Sequence, residues 1–347
     1  MTSRSGRNRW GPVRPRRLLL ALLGLAVIGI LLAPLTLAGG AEAGSLPRLV
    51  DKSQLRGLTM ILLFVVLASS WNIIGGLTGY ASFGNVAFFG LGAYATGFLV
   101  DAEHGHLPFP LALLAAPIVP ALFAALMGVP LLRLRGHYFA IATLGTSIAV
   151  GEIINNLDVL GGSAGLYPPI LPVSDVVFFY LMAANAALAV GATWWIVRSR
   201  FGYGLIAIRE NEEAAAAIGV NTTRYKVAAF VLAAALAGIA GGVFAQWNSF
   251  INRENVFPIE YNVQMILMAV GGGAGTIFGP VVGAVLLEAL IQAFAGGGDV
   301  AVYAQIGLGV LLAVVVIFVP RGVIDFFGGE SRLSLRSVRQ NLRETSV

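Results

Sequence analysis

Long apolar runs recur from one end of this sequence to the other, and they constrain its fold more than any other feature. Most contain about 17 to 23 residues, enough for a helix to cross a hydrocarbon core about 30 Å thick. Charged residues make up only 11% of the 347-residue chain, whereas soluble domains carry about 25%. Because backbone polar groups in lipid must be satisfied internally, such runs form helices. The sequence therefore predicts an all-α, polytopic integral membrane protein.

The apolar runs predict about ten transmembrane passes, two of them short or broken. The first run is longer than the core of a signal peptide, which has about 7 to 15 residues, so we interpret it as an uncleaved span. The passes form one transmembrane domain at 18–319, between a basic leader at 1–17 and a tail at 320–347. The runs lie at 18–38, 58–74, 86–100, 109–132, 137–155, 176–197, 227–247, 262–271, 280–294 and 301–319.

Basic residues are distributed asymmetrically about these passes. If the N-terminus is cytoplasmic, 18 of the 22 Lys and Arg residues face the cytoplasm: six in the leader, two between the fourth and fifth runs, five at 198–226 and five in the tail. The positive-inside rule describes such a distribution. We therefore predict that both termini are cytoplasmic. The high pI of 9.7 then reflects membrane topology, and we expect no nucleic-acid partner.

The sequence lacks the residues for most metal, redox or nucleotide chemistry. It contains no cysteine, and in this topology His104 and His106 lie on the opposite side of the membrane from His137, the third histidine. A phosphate-binding Gly-x-x-x-x-Gly-Lys-Ser/Thr loop is also missing, since the two lysines, Lys52 and Lys226, lie in other contexts. We therefore predict no catalytic site, no metal and no cofactor, and we expect any ATP hydrolysis to come from another subunit.

Two glycine-rich segments interrupt the apolar runs at comparable positions in the two halves. The first break is GGLTGYASFG at 75–84, and the second break is GGAGTIFG at 272–279. Discontinuous segments at matching positions indicate a translocation pathway, although glycine-rich loops also form ordinary tight turns between spans. We favour the pathway interpretation. Its candidate residues are Asn72, Gly75, Gly76, Gly79, Gly84, Asn85, Gly272, Gly273, Gly275 and Gly279.

Two carboxylates fall inside predicted spans, and no Lys or Arg does. Glu152 lies near the outer end of the fifth span, where we expect it to be solvated. Glu288 lies in the middle of the ninth span, where a charge costs about 3 kcal/mol on insertion scales, so it should face protein or water. Two roles for Glu288 stay open: a residue of the pathway, and a structural group hydrogen-bonded to a neighbouring helix.

A polar stretch at 198–226 lies between two apolar runs and is too charged to enter lipid. Its central part, 205–218, predicts a single helix with Gly219 as the C-cap, and Asn221 is a candidate N-cap for the next span. This helix either lies on the membrane surface or docks a cytosolic partner. The residues by themselves leave both roles open.

The end of that helix carries a recognisable motif. Residues 213–219, EAAAAIG, match Glu-Ala-Ala-x-x-x-Gly, which resembles the coupling motif of permease subunits in bacterial ATP-binding-cassette importers. Longer blocks resemble the branched-chain amino-acid permease family, in particular its LivM-type subunit, and the resemblance covers most of 58–325. These blocks are 70–94, 134–145, 199–242 and 271–284.

The resemblance implies a permease of the bacterial cell membrane that, surrounded by lipid, forms a translocation pathway with a second, homologous permease. Two cytosolic ATP-binding subunits would supply energy, and an extracytoplasmic solute-binding protein would deliver leucine, isoleucine or valine. Two alternatives remain: an importer of urea or a short amide, and an ion-coupled secondary transporter, for which intramembrane acid–base pairs are missing. The ATPase-coupling residues implied are Arg209, Glu213, Ala214, Ala215 and Gly219.

Overall fold

The computed structural model describes residues 51–101 and 105–295, which form a bundle of α-helices. These residues contain no β-strand, and their one isolated β-bridge joins Leu166 to Ile251. The prediction of an all-α, polytopic membrane protein is confirmed. The leader, the tail and the two predicted spans at 18–38 and 301–319 lie outside the described residues.

Twelve α-helices follow one another in this part of the chain, with 3-10 turns at Asp158–Leu160 and Gly162–Ala164. The helices are α1 (Lys52–Ile74), α2 (Asn85–Val100), α3 (Phe109–Ala112), α4 (Ala115–Leu131), α5 (Gly136–Asn155), α6 (Asp175–Arg198), α7 (Arg200–Glu210), α8 (Glu212–Ala217), α9 (Thr222–Asn248), α10 (Arg253–Val256), α11 (Ile259–Gly273) and α12 (Gly279–Ala295).

Five helical segments in this part of the chain are long and apolar enough to cross a membrane, judged by length and composition. They are α1, α5, α6, α9 and the segment Phe109–Leu131, which contains α3 and α4. Each coincides with a predicted run. Helices α2 and α12 are also apolar but shorter, and α11 has only 15 residues. The two passes predicted to be short, at 86–100 and 262–271, are therefore short in the structure too.

Helices α2 and α9 form the centre of the bundle, where they pack against each other and against α4, and α9 also packs against α1. Glycines bring these backbones close together, because a Cβ atom at Gly92 would collide with the backbone of Gly238, and one at Gly241 with that of Phe89. Small residues at helix crossings permit this approach in membrane proteins. Close backbone contacts at these glycines thus determine the distance between the central helices as much as side-chain volume does.

The ion pairs of the described residues lie at the two ends of the bundle. At one end, Lys52 pairs with Asp175 at 3.6 Å, and Arg253 pairs with the half-exposed Glu152 at 2.6 Å. The two breaks and the remaining pairs lie at the other end, beyond the C-terminus of α1, a helix about 34 Å long. We call these the distal end and the break end. Glu152 is solvent-accessible, as predicted.

The polar stretch forms two helices instead of the single helix predicted at 205–218. Helices α7 and α8 are separated because Asn211 has an extended backbone, with φ −161° and ψ 108°. The Asn211 side chain then accepts a hydrogen bond of 2.9 Å from the backbone nitrogen of Ala214, which caps the start of α8. Side-chain capping by Asn211 thus competes with continuation of the helix.

The second half of the polar stretch contains the predicted caps. Gly219 has a φ of +93°, in the left-handed region that ends helices, and Asn221 Oδ1 accepts a hydrogen bond of 3.1 Å from Arg224 N at the start of α9. Both capping predictions are confirmed. Lys226, which we assigned to the polar stretch by its charge, lies in the second turn of α9 and is only 3% exposed.

Candidate functional site at the glycine-rich breaks

The two breaks meet at the break end, although they are about 200 residues apart in the sequence. The buried Asn72 at the end of α1 joins them: its Nδ2 donates to Thr276 O at 2.9 Å, and its Oδ1 accepts from Gly275 N at 2.7 Å. Gly76 lies against the same segment, since a Cβ atom there would come within 2.5 Å of Gly275 N. Close backbone contact therefore requires glycine at position 76.

Arg209 of α7 lies across both breaks. Its guanidinium donates to Gly76 O at 2.9 Å, and a Cβ atom at Gly275 would approach the same guanidinium to 2.6 Å. The aliphatic part of Arg209 packs on Gly79, whose φ of +78° favours glycine. One side chain of the polar stretch thus touches both broken segments, a contact that the sequence did not predict.

The other predicted pathway residues serve the packing around this junction. Gly84 lies against the backbone of Thr143, and Gly272 against the backbone of Gly279. Asn85 is buried at the start of α2, and neither polar atom of its side chain has a hydrogen-bond partner among the described residues. Gly75 packs on the ring of Trp71, and Gly273 has a φ of +130°. Their part in translocation stays a prediction.

Glu288 lies away from the junction, half-way along α12. It is 5% exposed and accepts a hydrogen bond of 3.1 Å from Gln292, which also donates to the carbonyl of Gly57 on α1. Glu288 therefore faces protein, as expected for a carboxylate inside a span. Its connection to a neighbouring helix supports the structural role, while the pathway role stays open.

A cluster of polar and charged side chains around the buried Lys226, which we call the Lys226 cluster, links the polar stretch to the first break. The ammonium of Lys226 donates to Glu212 at 2.7 Å, to the Tyr80 hydroxyl at 2.9 Å and to the carbonyl of Leu132 at 2.9 Å. The Tyr80 hydroxyl in turn donates to the second oxygen of Glu212. Four segments of the chain are therefore fastened at one ammonium group: the first break, the end of α4, α8 and α9.

The pKa values of this cluster indicate a stable ion pair. Burial alone would raise the pKa of the Glu212 carboxyl, but the hydrogen bonds from Lys226 and Tyr80 outweigh it and hold the pKa below its usual range. Burial and the adjacent carboxylate raise the pKa of Tyr80, so its hydroxyl remains a donor. Because the pKa of Glu212 is lowered by folding, the pair stabilises the fold at neutral pH and loses this contribution as the pH falls through the lowered value.

Arg135 extends the cluster to the surface. Its Nε lies 3.7 Å from Glu212, and its terminal nitrogen donates to Glu213 at 3.0 Å. The side chains of Arg135 and Glu213 are 59% and 80% exposed, so water screens this outer pair and it contributes little to stability. The buried pair of Lys226 and Glu212 therefore makes the main contribution of the cluster to the stability of the fold.

Helix α8 presents part of the coupling motif to solvent and part to the protein. Glu213, Ala214 and Gly219 are exposed, as a docking surface requires, but Ala215 is only 2% exposed and packs into the core. The expectation that Ala215 reaches a partner directly therefore does not fit its position, and its small size serves the seating of α8 on its own chain. Ile218, at the last variable position of the motif, is 79% exposed.

Sequence reasoning missed the Lys226 cluster. We counted Arg135 and Lys226 only as topology signals, and we gave Glu212 no role. One signal was available: a lone lysine that opens a long Ala-rich span must find a buried partner or leave the membrane. The identity of that partner depends on contacts between segments up to 146 residues apart, which no local pattern reveals.

Together these features describe a polytopic membrane protein with two broken segments joined at one end of its bundle. In the described residues, no group of three or more His, Cys, Asp or Glu residues is arranged to hold a metal ion. The family model for the permease component of branched-chain amino acid transport systems matches residues 53–319. The chain belongs to this family.

Several characterised relatives are similar to the chain. LivM, the permease protein of the high-affinity branched-chain amino acid transport system of Salmonella typhimurium, is 30% identical over 313 residues, covering 80% of this chain and 71% of the relative. Escherichia coli K12 LivM is 29% identical with the same coverage. LivH of the same strain is 22% identical over 77% of this chain and 93% of its own length. No solved structure matches the chain significantly.

Proposed function

We propose that this chain is a permease subunit of an ATP-binding-cassette importer that carries branched-chain amino acids into the cell. It pairs with a second, homologous permease, takes its energy from two cytosolic ATP-binding subunits and receives its solute from an extracytoplasmic binding protein. The similarity to both LivM and LivH supports a pair of related permeases. The break end is cytoplasmic in this proposal, because the charge asymmetry of the sequence places Arg135 and the polar stretch there.

One structural observation carries the proposal: the polar stretch has both an exposed face and direct contacts with the two breaks. When a partner displaces α8, the hydrogen bonds among Glu212, Lys226 and Tyr80 transmit this displacement to the first break. A displacement of the adjoining α7 reaches Gly76 and Gly275 through Arg209. Such connected contacts allow an energy-supplying partner to bias the broken segments between two arrangements.

The energy source separates this function from an ion-coupled transporter. We expect uptake of labelled leucine into proteoliposomes that contain the assembled complex to require ATP inside and binding protein outside, and to persist when the proton gradient is collapsed. Wild-type uptake that survives removal of ATP but stops with the gradient would contradict the proposal. Uptake of urea but not of leucine would instead assign the chain to the alternative substrate class.

Changing Ile218 to aspartate tests the docking face. We expect ATP hydrolysis stimulated by the loaded binding protein to fall at least about ten-fold, because a charge would replace a highly exposed apolar side chain at the C-terminal end of α8. Val159→Asp is the matched control, since Val159 is 63% exposed in the loop after α5, at the distal end. Unchanged stimulation in Ile218→Asp, with a correctly assembled complex, would exclude α8 as the docking helix.

A further inference from the structure

The distal end contains a cleft of about 450 Å³, within the roughly 300–1,000 Å³ typical of small-molecule sites. Three parts of the chain form it: the start of α1, the end of α9 and the segment that runs through α10 into α11. Its residues are Arg56, Met60, Phe244, Trp247, Asn248, Glu254, Asn255, Pro258 and Tyr261. None of them belongs to the junction of the breaks.

The cleft combines two opposite charges with an apolar wall. Arg56 and Glu254 are exposed at its rim, and neither forms an ion pair or a hydrogen bond through its side chain with a described residue. Trp247 is on the wall, and its indole Nε1 is buried without a hydrogen-bond partner in the described part of the chain. The cleft therefore offers one cationic group and one anionic group at its rim.

Aromatic side chains continue from the cleft toward the middle of the bundle. The ring of Trp247 lies 6.2 Å from that of Phe244, which is 5.3 Å from Phe89. Phe89 lies 6.2 Å from Tyr261, and Tyr261 packs edge-to-face on Phe64 at 5.2 Å. An aliphatic group that enters the cleft between the two charges thus meets Met60, Phe244 and Tyr261, behind which the buried rings of Phe64 and Phe89 pack.

We propose that this cleft is the entry site for a zwitterionic α-amino acid with an apolar side chain. Arg56 binds the α-carboxylate, since a guanidinium matches a carboxylate with two parallel hydrogen bonds. Glu254 binds the α-ammonium, and the wall formed by Met60, Phe244 and Tyr261 receives the aliphatic side chain. A neutral solute such as urea carries no charges to match the two opposite charges of the rim, so the cleft favours amino acids.

This inference rests on the proposed import function, and it deepens that function by assigning a contact with the solute. Because the charges lie at the exposed rim, water screens them and the site binds weakly. Weak binding is what a transport pathway requires, since a solute that has entered must also leave. Selectivity can then reside mainly in the binding protein that delivers the solute.

The test uses the assembled complex in proteoliposomes, with leucine-loaded binding protein added outside at saturation. We expect Arg56→Gln and Glu254→Gln each to lower the maximal leucine uptake rate at least about ten-fold, because each removes a charge-assisted hydrogen bond. Arg56→Lys should retain more uptake than Arg56→Gln. Lys52→Gln, in the first turn of the same helix, is the matched control and should transport normally.

A second measurement distinguishes the entry site from a docking surface for the binding protein. The Kd of the binding protein for the complex should be the same in Arg56→Gln, Glu254→Gln and wild type. Weakened docking that accounts for the lost uptake would overturn the proposal and assign both charges to the docking surface, and normal uptake in both variants would overturn it as well. Absence of leucine uptake by the wild type would contradict the import function itself and is thus a separate outcome.

Discussion

Replacement of Gly76 by leucine is expected to abolish solute uptake while the protein still reaches the membrane. A Cβ atom at this position already collides with Gly275 N and with the side chain of Asn72, so a larger group must separate the two breaks. Overpacking costs about 3 kcal/mol when the surroundings cannot give way, equivalent to roughly a 100-fold change in the population of the joined arrangement. Uptake per unit of complex in proteoliposomes measures the effect.

Gly191→Leu provides the control for Gly76→Leu. Gly191 is an exposed glycine of α6, and a Cβ atom there would meet no other atom within 4 Å. Its leucine variant should therefore transport normally. If Gly76→Leu does not assemble, Gly76→Ala is the milder variant, since it introduces the same Cβ conflict without the longer side chain. Normal uptake in assembled Gly76→Leu would refute the pathway role of the breaks.

Replacement of Lys226 by methionine is expected to destabilise the protein and to uncouple ATP hydrolysis from uptake. The substitution leaves the carboxylate of Glu212, 15% exposed, without its closest cation. Removal of one partner from a buried ion pair costs about 3–5 kcal/mol, and the exposed Arg135, at 3.7 Å, compensates only weakly. The Tm in detergent and the number of ATP molecules consumed per leucine imported measure the two effects.

The double variant Glu212→Gln/Lys226→Met separates stability from coupling. It removes both charges, so the penalty for an unpaired carboxylate disappears and the Tm should recover most of its loss. The connection from α8 through the ammonium to Tyr80 remains absent, and the ATP cost per leucine should stay high. If coupling recovers together with the Tm, the Lys226 cluster stabilises the fold but does not couple ATP hydrolysis to uptake.

The helices of the bundle were largely predictable from the sequence because their signals are local. Length and apolar composition located α1, α5, α6 and α9, and the caps at Gly219 and Asn221 followed from short-range preferences. The division of the polar stretch into α7 and α8 was not predicted, although Asn211 is a good N-cap. A run of alanines favours a continuous helix, but the extended backbone of Asn211 interrupts it.

The candidate site was predictable only in part. The repeated glycine pattern drew attention to Gly76 and Gly275, but it did not indicate that Asn72 bonds to the second break or that Arg209 lies across both. The motif similarly identified α8 without indicating which of its alanines is buried. Sequence similarity transfers residue types, whereas the direction in which each side chain points depends on the packing around it.

The sequence by itself determined that this chain lies in a membrane as a bundle of helices, because hydrophobic length and charge asymmetry act along the chain without reference to its neighbours. The tertiary structure alone decided that the two breaks touch, that Arg209 joins them and that Lys226 is buried between Glu212 and Tyr80. A buried charge and a backbone contact become favourable only when distant segments supply the partners and the close fit, and that requires the assembled fold.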